Sequence, residues 1–105
     1  LGCSSHYDAN TGEYISVKTL NTQTASRIEN PKSIENTLNK YISKIDSYNG
    51  ERKGSMRIMP EQIKQKTIEL GIPENTNKEQ WDIINNSIKN ASSKNIRINI
   101  TIIED

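Results

Sequence analysis

Near its end the chain repeats isoleucine with a period of two: Ile96, Ile98, Ile100 and Ile102 alternate with Arg97, Asn99 and Thr101. Successive strand side chains point to opposite faces, so this spacing predicts a half-buried β-strand. A second alternating run, Thr67-Ile68-Glu69-Leu70-Gly71-Ile72, stops at Pro73 and reads as another strand. Between the two, Thr76-Asn77-Lys78-Glu79 has the pattern of a capping box, hydroxyl first and carboxylate three residues later. Trp81, Ile84, Ile88 and Ala91 follow on one side of the helix it would open. The connection from Pro73 to Asn95 is long enough for a right-handed crossover, so the two strands are expected to be parallel neighbours.

The earlier half supplies the rest of a small α/β unit. Residues 3–8 read as a short strand, Asn10-Thr11-Gly12 as a tight turn, and residues 13–20 as a returning strand. Asn30-Pro31 is a helix start, with the Asn30 amide expected as N-cap and proline at the first helical position, and Ile34, Leu38, Tyr41, Ile42 and Ile45 recur at helical spacing until Asn49-Gly50. Residues 21–29, rich in hydroxyls and amides, are expected to form a structured loop. Residues 50–59, with Arg52, Lys53 and Arg57, are expected to be a second loop, and a helical turn is expected from Pro60 through Gln65. A hairpin joined to strand–helix–strand makes a mixed sheet packed by two main helices. At 105 residues the chain is expected to be one domain (residues 1–105). Seventeen Ile, no Phe and one Trp mean that its core is built from β-branched aliphatics.

Composition removes several function classes. One cysteine, Cys3, excludes an intramolecular disulfide and a CxxC metal motif, and reads as a small apolar filler. Glycine-rich phosphate loops, HExxH, GxSxG and dinucleotide fingerprints are all missing. No apolar run reaches the length of a membrane span, and no segment has the form of a signal peptide. The opening Leu1 suggests a piece of a longer protein. Charge is uneven: residues 18–66 hold ten Lys/Arg against five Asp/Glu, residues 67–105 four against six. A basic middle is compatible with a polyanionic partner, although charge on solvated helix faces has the same appearance.

By elimination, chemistry falls to the segment Tyr7–Leu20. Tyr14, Ser16, Lys18 and Leu20 share one face of the returning strand, while Ile15, Val17 and Thr19 take the other. A lysine on the first face can orient a water and steady charge developing on a phosphate. Asp8 could hold a divalent metal ion or position that water; equally, the pair could be an edge lysine and a turn aspartate capping backbone amides. Glu13 faces away from Ser16 and Lys18 and would need a bulge or twist to join them. His6, the only histidine, lies on the face of Asp8 and could ligate a metal or pass a proton. Thr19, Thr22 and Thr24 could offer hydroxyls to phosphate oxygens, and Lys66 could add a phosphate contact beside the hairpin. Trp81 sits on the apolar stripe and is expected to pack in the core.

Asp8-Ala9-Asn10-Thr11-Gly12-Glu13-Tyr14-Ile15-Ser16-Val17-Lys18-Thr19-Leu20-Asn21-Thr22 resembles the opening of the C-terminal toxin domains of CdiA-type contact-dependent growth inhibition proteins. Ile28-Glu29-Asn30-Pro31 followed by Leu38-Asn39-Lys40-Tyr41-Ile42, and Ile72-Pro73 with Asn75-Thr76, Gln80-Trp81, Ile84-Asn85 and the last strand, continue the likeness over residues 7–103. The resemblance implies a nuclease with a restriction-endonuclease-like PD-(D/E)xK core, dependent on a divalent metal ion (Mg or Zn) and cleaving tRNA. It makes Asp8 the acidic, metal-binding position, Ser16 and Lys18 a variant of the acid-x-lysine element, and Lys66 a basic position ahead of a later core segment. It also implies a cognate immunity protein, export as the end of a large surface protein, and action in the cytoplasm of a target bacterium. Two departures stand out. Relatives carry a further Asp three residues before the position of Asp8, where this chain has Ser5, and they have an N-terminal helical part that this chain is expected to lack. A deoxyribonuclease on the same scaffold, a nucleic-acid-binding module without catalysis and a protein-interaction domain are the competing classes.

Overall fold

The computed structural model describes residues 3–104, with the backbone alone for Cys3, Lys53 and Met56. Residues Leu1, Gly2 and Asp105, and the filler role expected of the Cys3 side chain, lie outside what is described. Four strands form one sheet: β1 (Cys3–Asp8), β2 (Glu13–Thr19), β5 (Gln65–Pro73) and β6 (Ile96–Ile103), in the order β1-β2-β5-β6. The first pair is antiparallel and the next two are parallel. Between β2 and β5 the chain forms α1 (Ala25–Glu29), α2 (Lys32–Asp46) and a separate two-stranded hairpin of β3 (Glu51–Lys53) and β4 (Met56–Ile58), then a 3₁₀ turn at Pro60–Gln62. The helix α3 (Lys78–Ser93) makes the crossover from β5 to its parallel neighbour β6.

Alternation along the strands divides the sheet into two unlike faces. Leu20, Ile68, Leu70, Ile72, Ile96 and Ile98 turn toward the helices and pack with Ile34, Leu38, Ile42 and Ile45 of α2 and Ile84 and Ala91 of α3. Burial of each such branched side chain is worth about 1.5–3 kcal/mol, so this aliphatic layer is the main source of stability. The opposite face carries polar groups: Glu13 accepts a hydrogen bond from Thr67 and lies 3.9 Å from the Arg97 guanidinium, and Asn99 donates to Glu69.

The β1–β2 turn is closed by Gly12, whose φ of +76° is open to glycine at little cost. Its N–H donates to the Asp8 carbonyl at 2.7 Å, and its own carbonyl accepts from Lys64 N–H at 2.7 Å, which ties the hairpin tip to the entry of β5. A largely buried polar knot fixes the far end of β2. Gln80 donates to the Thr22 carbonyl at 2.8 Å and accepts from Gln23 Nε2 at 3.0 Å, while the Thr22 and Thr76 hydroxyls bond at 2.8 Å.

Five local readings of the sequence are corrected. Residues 21–29 contain the one-turn helix α1, and residues 50–59 form the β3–β4 hairpin rather than an open loop. The turn at Pro60 stops at Gln62, because Gln65 already pairs with Glu13 as the first residue of β5. The helix α3 is capped one residue later than the Thr76 pattern implied: Asn77 accepts from Gln80 N–H, and Gln80 accepts from Asn77 N–H. Thr76 is instead held inside the buried knot. At the start of α2, Asn30 uses its backbone carbonyl, which takes the Ser33 N–H and hydroxyl; its side-chain amide makes no cap.

Candidate functional site

The strand β2 puts Tyr14, Ser16 and Lys18 in a row under α2. Directly opposite in β1, Tyr7 pairs with Tyr14 and Ser5 with Ser16. Above them α2 contributes Tyr41, Lys44 and Ile45, and the chain leaving it adds Ser47, Tyr48, Asn49 and Gly50. Tyr7 apart, these residues enclose a cleft of about 460 Å³. At its floor Lys18 is only 8% exposed, and its ammonium lies 5.1 Å from the centre of the Tyr41 ring. A cation over an aromatic face is attracted by the ring quadrupole, which helps to offset the loss of water around the charge.

One wall of the cleft is a parallel pair of rings. Tyr14 and Tyr48 stack with centroids 3.7 Å apart and planes 10° apart. The Tyr48 hydroxyl donates to Glu51 at 3.0 Å. Burial, and then the Glu51 hydrogen bond and charge, push the Tyr48 phenol well above the usual tyrosine range, so it stays a proton donor.

The end of α2 also borders the cleft, and a helix C-terminus ordinarily offers bare carbonyls with partial negative charge. Here each of the last four carbonyls carries a donor. Ser47 N–H reaches Ser43, the Ser47 hydroxyl reaches Lys44, Tyr48 N–H reaches Ile45, and Lys66 Nζ reaches Asp46 at 2.8 Å. Lys66 therefore stands beside Tyr14 as the next strand's partner, with its ammonium on the helix end.

The other residues singled out from the sequence lie elsewhere. Asp8 pairs with Glu13 at the hairpin tip, on the opposite face from Lys18 and five residues away, about 16 Å along the strand. Its carboxylate accepts from Asn10 N–H at 2.9 Å, as a turn residue does. Glu13 faces away from Ser16, as the alternation required, and no bulge interrupts the β1–β2 register to bring it round. His6 pairs with Ile15 on that same opposite face and is exposed. Thr19 is exposed at the end of β2, and the Thr24 hydroxyl lies 3.5 Å from that of Ser26 at the start of α1. Thr22 is wholly enclosed by the Gln80 knot. The structure thus brings Ser16 and Lys18 together with Ser5, and leaves Asp8, Glu13 and the threonines outside the cleft. Lys44, Tyr48 and Ser47 were missed; only the folded α2 carries their end of the chain over β2.

An antiparallel hairpin bearing a Ser-x-Lys element, continued by parallel strands and covered by helices, defines a restriction-endonuclease-like α/β domain. The model of one family, described as a CDI toxin restriction endonuclease-like domain, matches residues 3–101, and the chain belongs to that family. It is similar to "Deoxyribonuclease CdiA" of Yersinia pseudotuberculosis serotype O:3 (strain YPIII), 27% identical over 96 residues, covering 91% of this chain and 9% of that protein. It is also 27% identical over 96 residues to "Deoxyribonuclease CdiA-o11" of Escherichia coli O157:H7 (strain EC869), again 91% of this chain and 26% of the relative. The chain thus spans a minor part of either protein. Among solved structures it resembles the CdiA-CT/CdiI toxin and immunity complex from Yersinia pseudotuberculosis, with a TM-score of 0.81, 26% identity, and coverage of 93% of this chain and 79% of that one.

The divalent ion that such a fold implies finds a poor donor set here. Mg²⁺ takes oxygen ligands and is usually anchored by one or two carboxylates. No described Asp or Glu lines the cleft, and no three described His, Cys, Asp or Glu side chains converge anywhere. Glu51, outside the cleft lining, accepts a hydrogen bond from the Tyr48 hydroxyl. The described residues do not fit a resident divalent cation. What they offer is a recessed cation, a second lysine at the rim and several hydroxyls, which suits an anion.

Proposed function

We propose that the chain is the DNA-directed nuclease domain of a contact-dependent growth inhibition toxin, one domain over residues 1–105, with a phosphodiester of the substrate seated in the Lys18 cleft. The observation that carries the reading is Lys18 itself, a lysine recessed at the floor of a hydroxyl-lined cleft in a family whose similar members are named deoxyribonucleases. Those names favour DNA over the tRNA that the sequence resemblance implied. Ser16 and Lys18 are the groups we assign to the reacting phosphate: the ammonium steadies negative charge as it builds on the phosphate oxygens, where a water-poor setting strengthens its effect. Asp8, Glu13, Thr19, Thr22, Thr24 and Lys66 are not assigned to that phosphate, since each points away from the cleft or is held by its own bonds.

Delivery as the end of a large surface protein, action in the cytoplasm of the recipient and neutralisation by a cognate immunity protein belong to the same proposal. They are supported by the CdiA relatives and by the solved toxin–immunity neighbour. An immunity protein opposing this cleft would present acidic groups to Lys18 and Lys44. The acid-free cleft favours a second reading, a domain that binds DNA without cutting it. Parallel incubation of supercoiled plasmid and total tRNA with the protein, in Mg²⁺, Zn²⁺ and EDTA, separates the readings. Nicked plasmid beside intact tRNA is the expected result. Plasmid shifted but intact selects the binding module, and cut tRNA beside intact plasmid overturns the DNA assignment.

A further inference from the structure

We propose that the cleft holds a backbone phosphate of DNA directly, on Lys18, Lys44 and the hydroxyls of Ser5, Ser16 and Ser47, with no bridging metal ion. The inference rests on the DNA reading above and concerns how the phosphate is gripped. Three observations meet in it. The cleft has two lysines and no carboxylate among its described residues, so its field favours an anion and gives a divalent cation nothing to balance its charge. The carbonyls at the end of α2 each already carry a donor, which lowers their call on a cation and quiets the negative helix end that would repel phosphate. Lastly, Ser5 stands directly across the hairpin from Ser16, so the place beside Lys18 where a carboxylate would complete a cation site holds a neutral hydroxyl. Hydroxyls donate to phosphate oxygens and a lysine gives a charge-assisted bond, a donor set sufficient to bind phosphate unaided.

Fluorescence anisotropy with a labelled duplex of about 20 base pairs tests this, at matched ionic strength in EDTA and in Mg²⁺. The expected Kd is the same within about twofold in the two buffers, and K18M weakens binding by roughly tenfold or more in both. Because Lys18 is nearly buried, K44M is the second variant: Lys44 is exposed on α2, so its loss spares the fold. Its expected effect is a smaller loss of affinity and a salt dependence reduced by about one phosphate contact. Binding that vanishes in EDTA and returns with Mg²⁺ overturns the metal-free grip and leaves the DNA reading standing. No binding in either buffer overturns both. Unchanged affinity in folded K18M and in K44M places the phosphate elsewhere and overturns the proposal.

Discussion

Replacing Ser5 by aspartate probes the cleft from its empty side. Ser5 faces Ser16 across a regular antiparallel pair, where side chains sit about 5 Å apart, and Lys18 is two residues further along the same face. Lys18 is the diagonal neighbour, within reach of a long side chain, so a carboxylate introduced there can approach both the lysine and any phosphate the lysine holds to about 5 Å. At an effective dielectric constant of about 20, one unit charge on another at that distance is worth about 3 kcal/mol. The carboxylate attracts Lys18 and repels the phosphate by similar amounts, so duplex affinity in EDTA is expected to fall about 100-fold, at 1.4 kcal/mol per tenfold. Mg²⁺ should recover much of the loss, because carboxylate and phosphate together can hold the ion. The assay is duplex anisotropy of S5D and the native chain in EDTA and over a Mg²⁺ titration, with circular dichroism to show that S5D is folded. If S5D binds in EDTA as tightly as the native protein, no phosphate lies beside Ser5 and the reasoning fails.

Three further expectations concern the frame of the cleft. Gln80→Leu orphans the buried Thr22 carbonyl and unties Gln23, which should cost about 3 kcal/mol and lower Tm by about 12 °C or more in a thermal melt; an unchanged Tm would show that the knot is dispensable. Gly12→Ala places a Cβ 2.5 Å from Lys64 Cγ and 3.0 Å from the Gln62 carbonyl at positive φ, and should destabilise by about 1–2 kcal/mol in urea unfolding. Gly71→Ala crowds the exposed Ile103 side chain, with Thr19 Cγ2 at ordinary contact distance and no backbone in the way, and serves as the mild control; equal losses in the two would remove the backbone argument. For Tyr48 the folded protein holds the phenolic proton more tightly than the unfolded chain. The stability linked to it is therefore complete below about pH 10, the unfolded value, and is lost as pH rises toward the folded one. Denaturation of Y48F and the native chain across that range should show a shallower decline in Y48F, and parallel curves would contradict the assignment.

What the sequence disclosed, it disclosed through periodicity. Alternating isoleucines gave β6 and its parallel partner β5, and the same alternation placed Lys18 with Ser16 and turned Glu13 away. Elements without an apolar rhythm stayed hidden. The β3–β4 hairpin has three-residue strands and is turned at Gly54 with φ of +61°, a pairing its basic and polar residues do not announce. Gln80 looks like a surface amide and is fully buried, because its bonds to the Thr22 carbonyl and from Gln23 form only when residue 80 meets that segment across the fold. The Thr76 pattern was displaced by one residue for the same reason: Asn77 competes equally well as a cap, and the knot claims Thr76. Within the site, facing was readable but company was not. Asp8 shares a hairpin with Lys18, yet strand pairing puts it on the other face, whereas Lys44 and Tyr48 come from an element whose position over β2 is a tertiary fact.

The most direct measurement is a crystal structure of the protein with a short DNA duplex grown in Mn²⁺, whose anomalous signal reports the metal independently of the phosphate. A phosphate oxygen about 3 Å from Lys18 Nζ, with no anomalous peak in the cleft, is the expected result. A manganese ion between phosphate and protein in the cleft, or DNA lying on the Glu13–Arg97 face of the sheet, would contradict it.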